Sequence, residues 1–335
     1  MNAIKILEIT SREIKSIEPL FSNSSFKPYH NIAKGIEKNI DQFWINRVFK
    51  AMAVNKTKSF IAELCNEPVG FISISDLPWD SKIFNIPMAS ITEFVVDSNH
   101  RAKNEIGQAL IDKSIGWAKQ SGYKFLLCKT YSDDLTSIHL VENSGFFLVD
   151  TLLDYAIDFR KTPFEVIPSQ NPSEEVILRF ASPDDEQELV LLAKDSFRNH
   201  FGRYHSDPFF SREQAIQVYI EWMRSSLSGY ADYFVLAEIG GRIAGLSIWK
   251  KTTDEEKGIP IRISHYNIGA IHPDFFGRKL FTLLTYEGMK IFQGQTDIIE
   301  GPTHINNYPV QRGYTRLNWQ IYGARHSFHK WLDYL

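Results

Sequence analysis

The stretch NNYPVQRGYTRLNW, from Asn306 to Trp319, sets Tyr314 on an expected helix just ahead of an aromatic strand start. A second stretch of the same shape, DLTSIHLVENSGF from Asp134 to Phe146, has Val141 at that place. A phenol with a pKa of ~10 is protonated at neutral pH and can give up a proton, whereas valine cannot. The plain alternative for Tyr314 is a core residue on the buried face of the helix. Upstream, IHPDFFGRKLFTLL (Ile271 to Leu284) reads as a strand end, a proline, a turn with one glycine, and a helix. The first turn of a helix has unpaired N–H groups and a partial positive charge, which suits a phosphate. Arg278 and Lys279 would add charge-assisted contacts there, although a solvated turn with two surface cations has the same appearance. His265, His304 and a loop carrying Arg203 and His205 complete the set of residues able to move protons or meet anions.

These residues sit in the second of two similar patterns. FIAELCNEPVGFIS (Phe60 to Ser73) and VLAEIGGRIAGLSI (Val235 to Ile248) are both two apolar strands joined by a short polar turn. Ala62 falls on Ala237 and Gly70 on Gly245 at one constant offset, and FVVDSNHR falls on GAIHPDFF at the same offset. Each is followed by an amphipathic helix, a β-rich run, a second helix and an aromatic strand. Each half is expected to run β–α–α–β–β–β–α–β–α–β over roughly 150 residues, a mixed α/β domain. Lys161 to Glu175 holds three prolines among polar residues and reads as a linker. The expected division is therefore a first domain over 1–162, a linker over 163–175 and a second domain over 176–335. GGRIAG (Gly240 to Gly245) lies between strands and is expected to be a hairpin turn, not a nucleotide fingerprint.

A chain of 335 residues with 43% hydrophobic and 23% charged residues has the composition of a globular protein of two domains. A net charge of −3 provides no basic field for nucleic acid. No apolar run approaches the ~20 residues of a membrane span, and the N-terminal stretch does not read as a signal peptide, so a cytoplasmic protein is expected. Cys65 and Cys128 both lie in apolar runs and are expected to be buried thiols. No Cys/His cluster has metal spacing, so no metal is expected.

Taken together, Ile271, Pro273, Gly277, Arg278 and Leu283, then Asn307, Val310, Tyr314, Leu317, Asn318 and Trp319, resemble the GNAT acyltransferase superfamily. The resemblance implies an α/β fold of two tandem GNAT-like domains and acetyl-CoA, or another acyl-CoA, as co-substrate. It implies that the turn holds the pyrophosphate, with Ile271, Phe276, Gly277, Arg278, Lys279, Leu280, Phe281 and Asn307 as the coenzyme-binding set. Phe276 stands where the pattern has arginine, and Lys279 and Phe281 stand where it has small residues. The first half resembles the same fold but has an extra residue between Arg101 and Gly107, besides Val141 in the tyrosine position. It is expected to be a degenerate, catalytically silent copy. SDLPWDSKIFNIPMASI (Ser75 to Ile91), ENSGFFLVDTLLDY (Glu142 to Tyr155) and the segment from Asn199 to Gly229 resemble the dTDP-fucosamine N-acetyltransferase family. That likeness implies an acceptor amine on a nucleotide-linked sugar.

Amide formation from a thioester needs a neutral amine, a polarised carbonyl and a proton for the leaving thiolate. The resemblance puts the Tyr314 hydroxyl beside the coenzyme sulfur, and a backbone N–H near Asn267 to Ile271 would polarise the carbonyl. His265 and His304 are the candidate bases. Arg203 and His205, beside Phe201, Tyr204, Phe209 and Phe210, are candidates for acceptor contact. A peptide, polyamine or antibiotic amine remains an alternative acceptor. A module that binds coenzyme or nucleotide sugar without turnover, and an enzyme using charged tRNA, are the other readings. A homodimer is left open.

Overall fold

The computed structural model describes residues 3–32, 36–53, 57–97, 99–173, 175–253 and 256–332. The chain divides into two units, Met1–Asp150 with Arg325–Leu335, and Thr151–Ala324. The first copy runs β1 (Lys5–Ile9), α1 (Glu18–Asn23), α2 (Glu37–Ala53), β2 (Thr57–Leu64), β3 (Glu67–Asp76) and α3 (Pro78–Phe84). It continues through β4 (Met88–Val96), α4 (Lys103–Gln120), β5 (Phe125–Tyr131), α5 (Leu135–Asn143) and β6 (Phe147–Asp158). The second copy runs β7 (Val176–Phe180), α6 (Glu186–Phe197), α7 (Arg203–Ser206), α8 (Arg212–Ser225), β8 (Tyr233–Ile239) and β9 (Arg242–Lys250). It ends with β10 (Ile263–Ile271), α9 (Leu280–Phe292), β11 (Ile298–His304), α10 (Tyr308–Arg316) and β12 (Gln320–Trp331). The expected order holds in both copies, with α3 and α7 as short additions.

The unit boundaries fall inside strands and not at the expected 163–175 linker. Leu152 to Asp158 of β6 pair antiparallel with β11 in the second unit. Arg325 to Trp331 of β12 pair antiparallel with β5 in the first. Each copy's last strand thus completes the sheet of the other copy. Composition marks where a chain is polar and proline-rich, but strand partners are chosen by which sheet edge is open, and no local pattern records that. The proline-rich segment itself is anchored: Ile167 is buried, and the Phe164 ring lies 5.3 Å from that of Tyr286 on α9.

Turn chemistry follows the sequence. Gly240 and Gly241 take positive φ in the β8–β9 hairpin, as a tight primed turn requires. Cys65 does the same between β2 and β3 and is exposed, so the expectation of two buried thiols holds for Cys128 alone. Burial pushes the Cys128 thiol up to about 12.

In the second unit the strand order is β6-β11-β10-β9-β8-β7. α9 and α10 pack on one face around Trp249, Tyr266, Leu284 and Trp319. α6 and α8 pack on the other around Leu236, Ile268 and Ala270. Helix α9 approaches β9 closely because Gly288 has no side chain; a Cβ there would run into the buried indole of Trp249. Alanine normally favours a helix over glycine by ~1 kcal/mol. Gly288→Ala is nonetheless expected to destabilise the protein by about 1–3 kcal/mol, the usual range for overpacking, as a lowered urea midpoint.

Candidate active site

The site of the second unit begins with one extra residue. β10 pairs with β9 through Tyr266↔Trp249 and then Ile268↔Ile248, leaving Asn267 as a bulge. A bulge reverses the alternation of a strand, so Tyr266 faces α9 and α10 while Ile268 and Ala270 face α6 and α8. β10 also pairs in parallel with β11 from Ile263↔Ile298 to His265↔Glu300, and that ladder ends there. Beyond it β11 stays paired with β6 and β10 with β9. The facing edges of β10 and β11 therefore open into a V with unspent main-chain donors and acceptors.

Two phenols occupy the α9 side of this V. Tyr314, from α10, is only 1% exposed and stacks on Trp319 with ring centroids 4.6 Å apart. It is a core residue, but its hydroxyl is not lost in the core. A Cβ on Gly301, the first β11 residue past the ladder, would stand 2.7 Å from it. The hydroxyl thus lies over bare backbone at the apex of the V. Burial raises the Tyr314 pKa well above its ordinary value, and Tyr266 and Tyr155 add to the effect. The group is a phenol, not a phenolate, across the physiological range. The second phenol, Tyr266, is equally buried and was not singled out by the sequence.

The strand-to-helix turn lies at the far end of β10. Phe276, Gly277, Arg278 and Lys279 are all exposed. Gly277 (φ 82°) and Lys279 (φ 60°) are both left-handed, and Lys279 caps α9 without a side-chain hydrogen bond. A non-glycine residue in this region costs about 1 kcal/mol, and such strain collects at ligand sites, where left-handed turns gather N–H groups into an anion-binding concavity. Arg278 lies 3.5 Å from Glu175 in an exposed pair. Leu280 and Phe281 send their side chains into the core, with Phe281 against Gly313, so that only their main chain faces the turn. Ile271 ends β10 and is half-buried. Asn307 is the N-cap of α10, without a side-chain capping bond.

The corresponding turn in the first unit engages more of its own donors than the second, where His272 accepts from the Asp274 N–H at 3.2 Å. Asp97 accepts from the Asn99 N–H and His100 from the Ala102 N–H, at 3.0 and 3.1 Å. Gly107 lies against Leu140 there, and the apex carries Ile91 and Val141 in place of phenols. The same V is present, with β4 and β5 paired only from Met88↔Phe125 to Ile91↔Cys128. Glu93 stands beyond the bulge and accepts from Trp44 and Arg47 at 2.7 and 2.8 Å.

Of the two expected bases, His265 is the wrong kind of histidine. It hydrogen-bonds Glu300 at 2.9 Å through Nδ1 and Glu256 at 3.0 Å through Nε2. Burial alone would lower its pKa, but the two carboxylates overcome that and lift it to about 10. An imidazolium at pH 7 with both nitrogens engaged takes no proton from an amine. Glu300 also accepts from Tyr322 at 2.6 Å, so this buried chain serves to hold the apex where the strands part. His304 ends β11, where its Nδ1 accepts from the Asn306 N–H at 3.0 Å.

The loop residues do converge. Phe201 stacks on His304 at 5.5 Å, and His200 lies 5.8 Å from His205 and 5.2 Å from Tyr219. Burial, reinforced by His205 and His304, lowers the His200 pKa to about 3, and burial lowers that of His205 too. Arg203 lies over the Tyr204 ring at 4.7 Å. His200 and His205, their pKa values lowered by burial, thus share one patch with His304 and several aromatic rings at the end of β11. His200 was missed because one histidine in a polar loop has no pattern around it.

Comparison with known proteins bears on the family and the fold. Residues 23–146 match the acetyltransferase (GNAT) family model. The spore coat polysaccharide biosynthesis protein SpsD of Bacillus subtilis is 23% identical over 78% of this chain and 84% of its own length. An uncharacterized N-acetyltransferase of Methanocaldococcus jannaschii is 31% identical over 36% of this chain and 52% of its own. Among solved structures, a GCN5-related N-acetyltransferase from Sphaerobacter thermophilus superposes with a TM-score of 0.67, covering 98% of this chain and 96% of that one at 13% identity. A tandem GNAT protein from the clavulanic acid pathway superposes with 0.62, covering 99% and 100% at 13% identity. Residues 23–146 thus carry the acetyltransferase (GNAT) match, and the chain has the tandem fold of these solved structures. Among the described residues no helix is long and apolar enough to cross a membrane, and no cluster of three His, Cys, Asp or Glu is placed to hold a metal.

The raised His265 pKa makes a pH prediction. Its stabilising contribution is complete below the ordinary value of 6.5 and is lost as pH rises through about 10. Wild-type stability should therefore fall between pH 6.5 and 10 more steeply than that of His265→Gln, as measured by urea unfolding across that range.

Proposed function

We propose that the chain transfers an acetyl or other short acyl group from acyl-CoA to the amine of a nucleotide-linked amino sugar, and that the second unit is the catalytic copy. The observation that carries this reading is the exposed, uncapped turn at Gly277 to Lys279, opening toward a V whose apex bears the Tyr314 hydroxyl. The turn's N–H groups and Arg278 would hold the pyrophosphate, and the pantetheine arm would lie between the edges of β10 and β11. Acyl-CoA supplies the activated carbonyl. A β10 N–H past the bulge would hold the carbonyl oxygen as charge develops there. The amine nitrogen attacks, the C–S bond breaks as the carbonyl reforms, and Tyr314 donates its proton to the departing sulfur. His205, whose pKa burial lowers, would accept the amine proton.

The sugar acceptor is supported by the polysaccharide-biosynthesis name of the Bacillus relative and by the aromatic and imidazole patch at Phe201, His205 and His304, with Arg203 for a diphosphate. A specific observation favours a second reading, in which the first unit carries the chemistry: the family match lies on residues 23–146. Two side chains, Asp97 and His100, accept from its turn N–H groups, against one, His272, in the second unit, and its apex carries Ile91 and Val141 in place of phenols; both favour the second unit.

The test is release of free thiol from acetyl-CoA with dTDP-linked amino sugars, set against polyamine and peptide amines. Tyr314→Phe keeps the packed ring and is expected to lower kcat by about 10²–10⁴-fold while leaving CoA affinity within a factor of about two. Turnover equal to wild type would remove Tyr314 from the chemistry. A preference for polyamines would remove the sugar.

A further inference from the structure

The Tyr266 ring is enclosed by Trp249, Tyr314 and Trp319, with centroids 4.3, 6.0 and 6.4 Å away. Such a site suits phenylalanine, yet the residue carries a hydroxyl that is buried without a hydrogen-bond partner. The hydroxyl near it, Thr285 Oγ1, donates to the Phe281 carbonyl at 2.8 Å, and its geometry makes no hydrogen bond with Tyr266. Burial raises the phenol's pKa, Thr285 tempering the rise only slightly. An unpaired buried hydroxyl costs on the order of 1–3 kcal/mol, and an exception of this kind in a native core calls for an explanation.

Its position supplies one. The pleat reversal at Asn267 turns Tyr266 toward α9, and the ring then runs along its own strand until the hydroxyl lies over Gly269. Any side chain at Gly269 would collide with that oxygen. Gly301 bares the opposite arm in the same way, and a Cβ there would stand 3.2 Å from Tyr266 Cβ. Tyr266 thus spans the V from its apex to the β10 arm, and its O–H lies where β10 no longer pairs with β11. The first unit has Ile91 before its bulge, with no hydroxyl to offer.

We propose that Tyr266 is a coenzyme-binding residue whose hydroxyl donates a hydrogen bond to an amide oxygen of the pantetheine arm of CoA, between β10 and β11. This rests on the assignment of the coenzyme site to the second unit. The arm carries two amide carbonyls, strong neutral acceptors suited to a phenolic donor in a site from which water is excluded. A phenol with a raised pKa remains a donor at every pH at which the enzyme would work. The group touches the coenzyme along its arm and takes no part in bond making.

The experiment compares Tyr266→Phe with wild type by calorimetric titration of CoA and of 3′-phospho-ADP, the coenzyme without its pantetheine arm. The variant keeps the ring and loses only the stranded hydroxyl, so without ligand its thermal midpoint should equal or exceed that of wild type. Its Kd for CoA should rise about 3–10-fold, as loss of one neutral hydrogen bond implies, with that for 3′-phospho-ADP within twofold of wild type. Equal affinities for CoA in the two proteins would overturn the proposal, as would equal losses for both ligands, which would mark a merely structural role. A wild-type protein that binds neither ligand would sink the coenzyme-site assignment itself, and the proposal with it.

Discussion

One inserted residue organises the second unit. Asn267 adds a position to β10 without adding one to β9, and two consequences follow. The pleat changes hands, sending Tyr266 toward α9 and Ile268 toward α6. The strand also turns away from β11 once His265 has met Glu300. An unpaired stretch of two strand edges in a sheet interior is costly unless something else meets the exposed main chain. The structure answers with glycines at 269 and 301, which let side-chain rings lie against the bare edges. The gap between these two strands comes from this local failure of pairing.

The apex is stiffened by charge. His265 sits between Glu256 and Glu300, and Glu300 is held further by Tyr322. Buried carboxylates and an imidazolium are retained only when each has partners, and here the partners come from β10, β11, β12 and the loop ahead of β10. A histidine held there by two carboxylates is unsuited to act as a base, whereas burial lowers the pKa of His200 and His205 near the other end of β11. Two histidines that look alike in the sequence, His265 and His205, thus have pKa values shifted in opposite directions by their surroundings alone.

The two copies have diverged in opposite directions at equivalent places. In the first, Gly107 receives Leu140; in the second, Gly313 receives Phe281. Each pair keeps the helix–helix distance by matching one bare position with one large side chain. The second copy's choice brings aromatic rings and two hydroxyls into the V, and the first copy's choice fills it with aliphatic groups. Duplication followed by such swaps preserves the packing density that a core demands while changing what the cleft can bind.

The fold was legible in the residues because alternation, helical spacing and glycine-bearing turns are local signals. The repeat of Ala62 and Gly70 on Ala237 and Gly245 gave the tandem arrangement, and Tyr314 stood out against Val141. What stayed hidden was every property that depends on distant neighbours. The exchange of last strands, the protonation of His265 and the meeting of Phe201 with His304 all need residues far apart in the chain. Tyr266 was invisible for the same reason, since only the bulge and the glycines opposite it make its hydroxyl conspicuous. Residue types and spacing therefore determined the elements and the kind of chemistry they can hold. Tertiary structure decided which side chains are charged, which are enclosed and which face the cleft, because burial and Coulomb energies are set by what stands within a few ångströms and not by position along the chain.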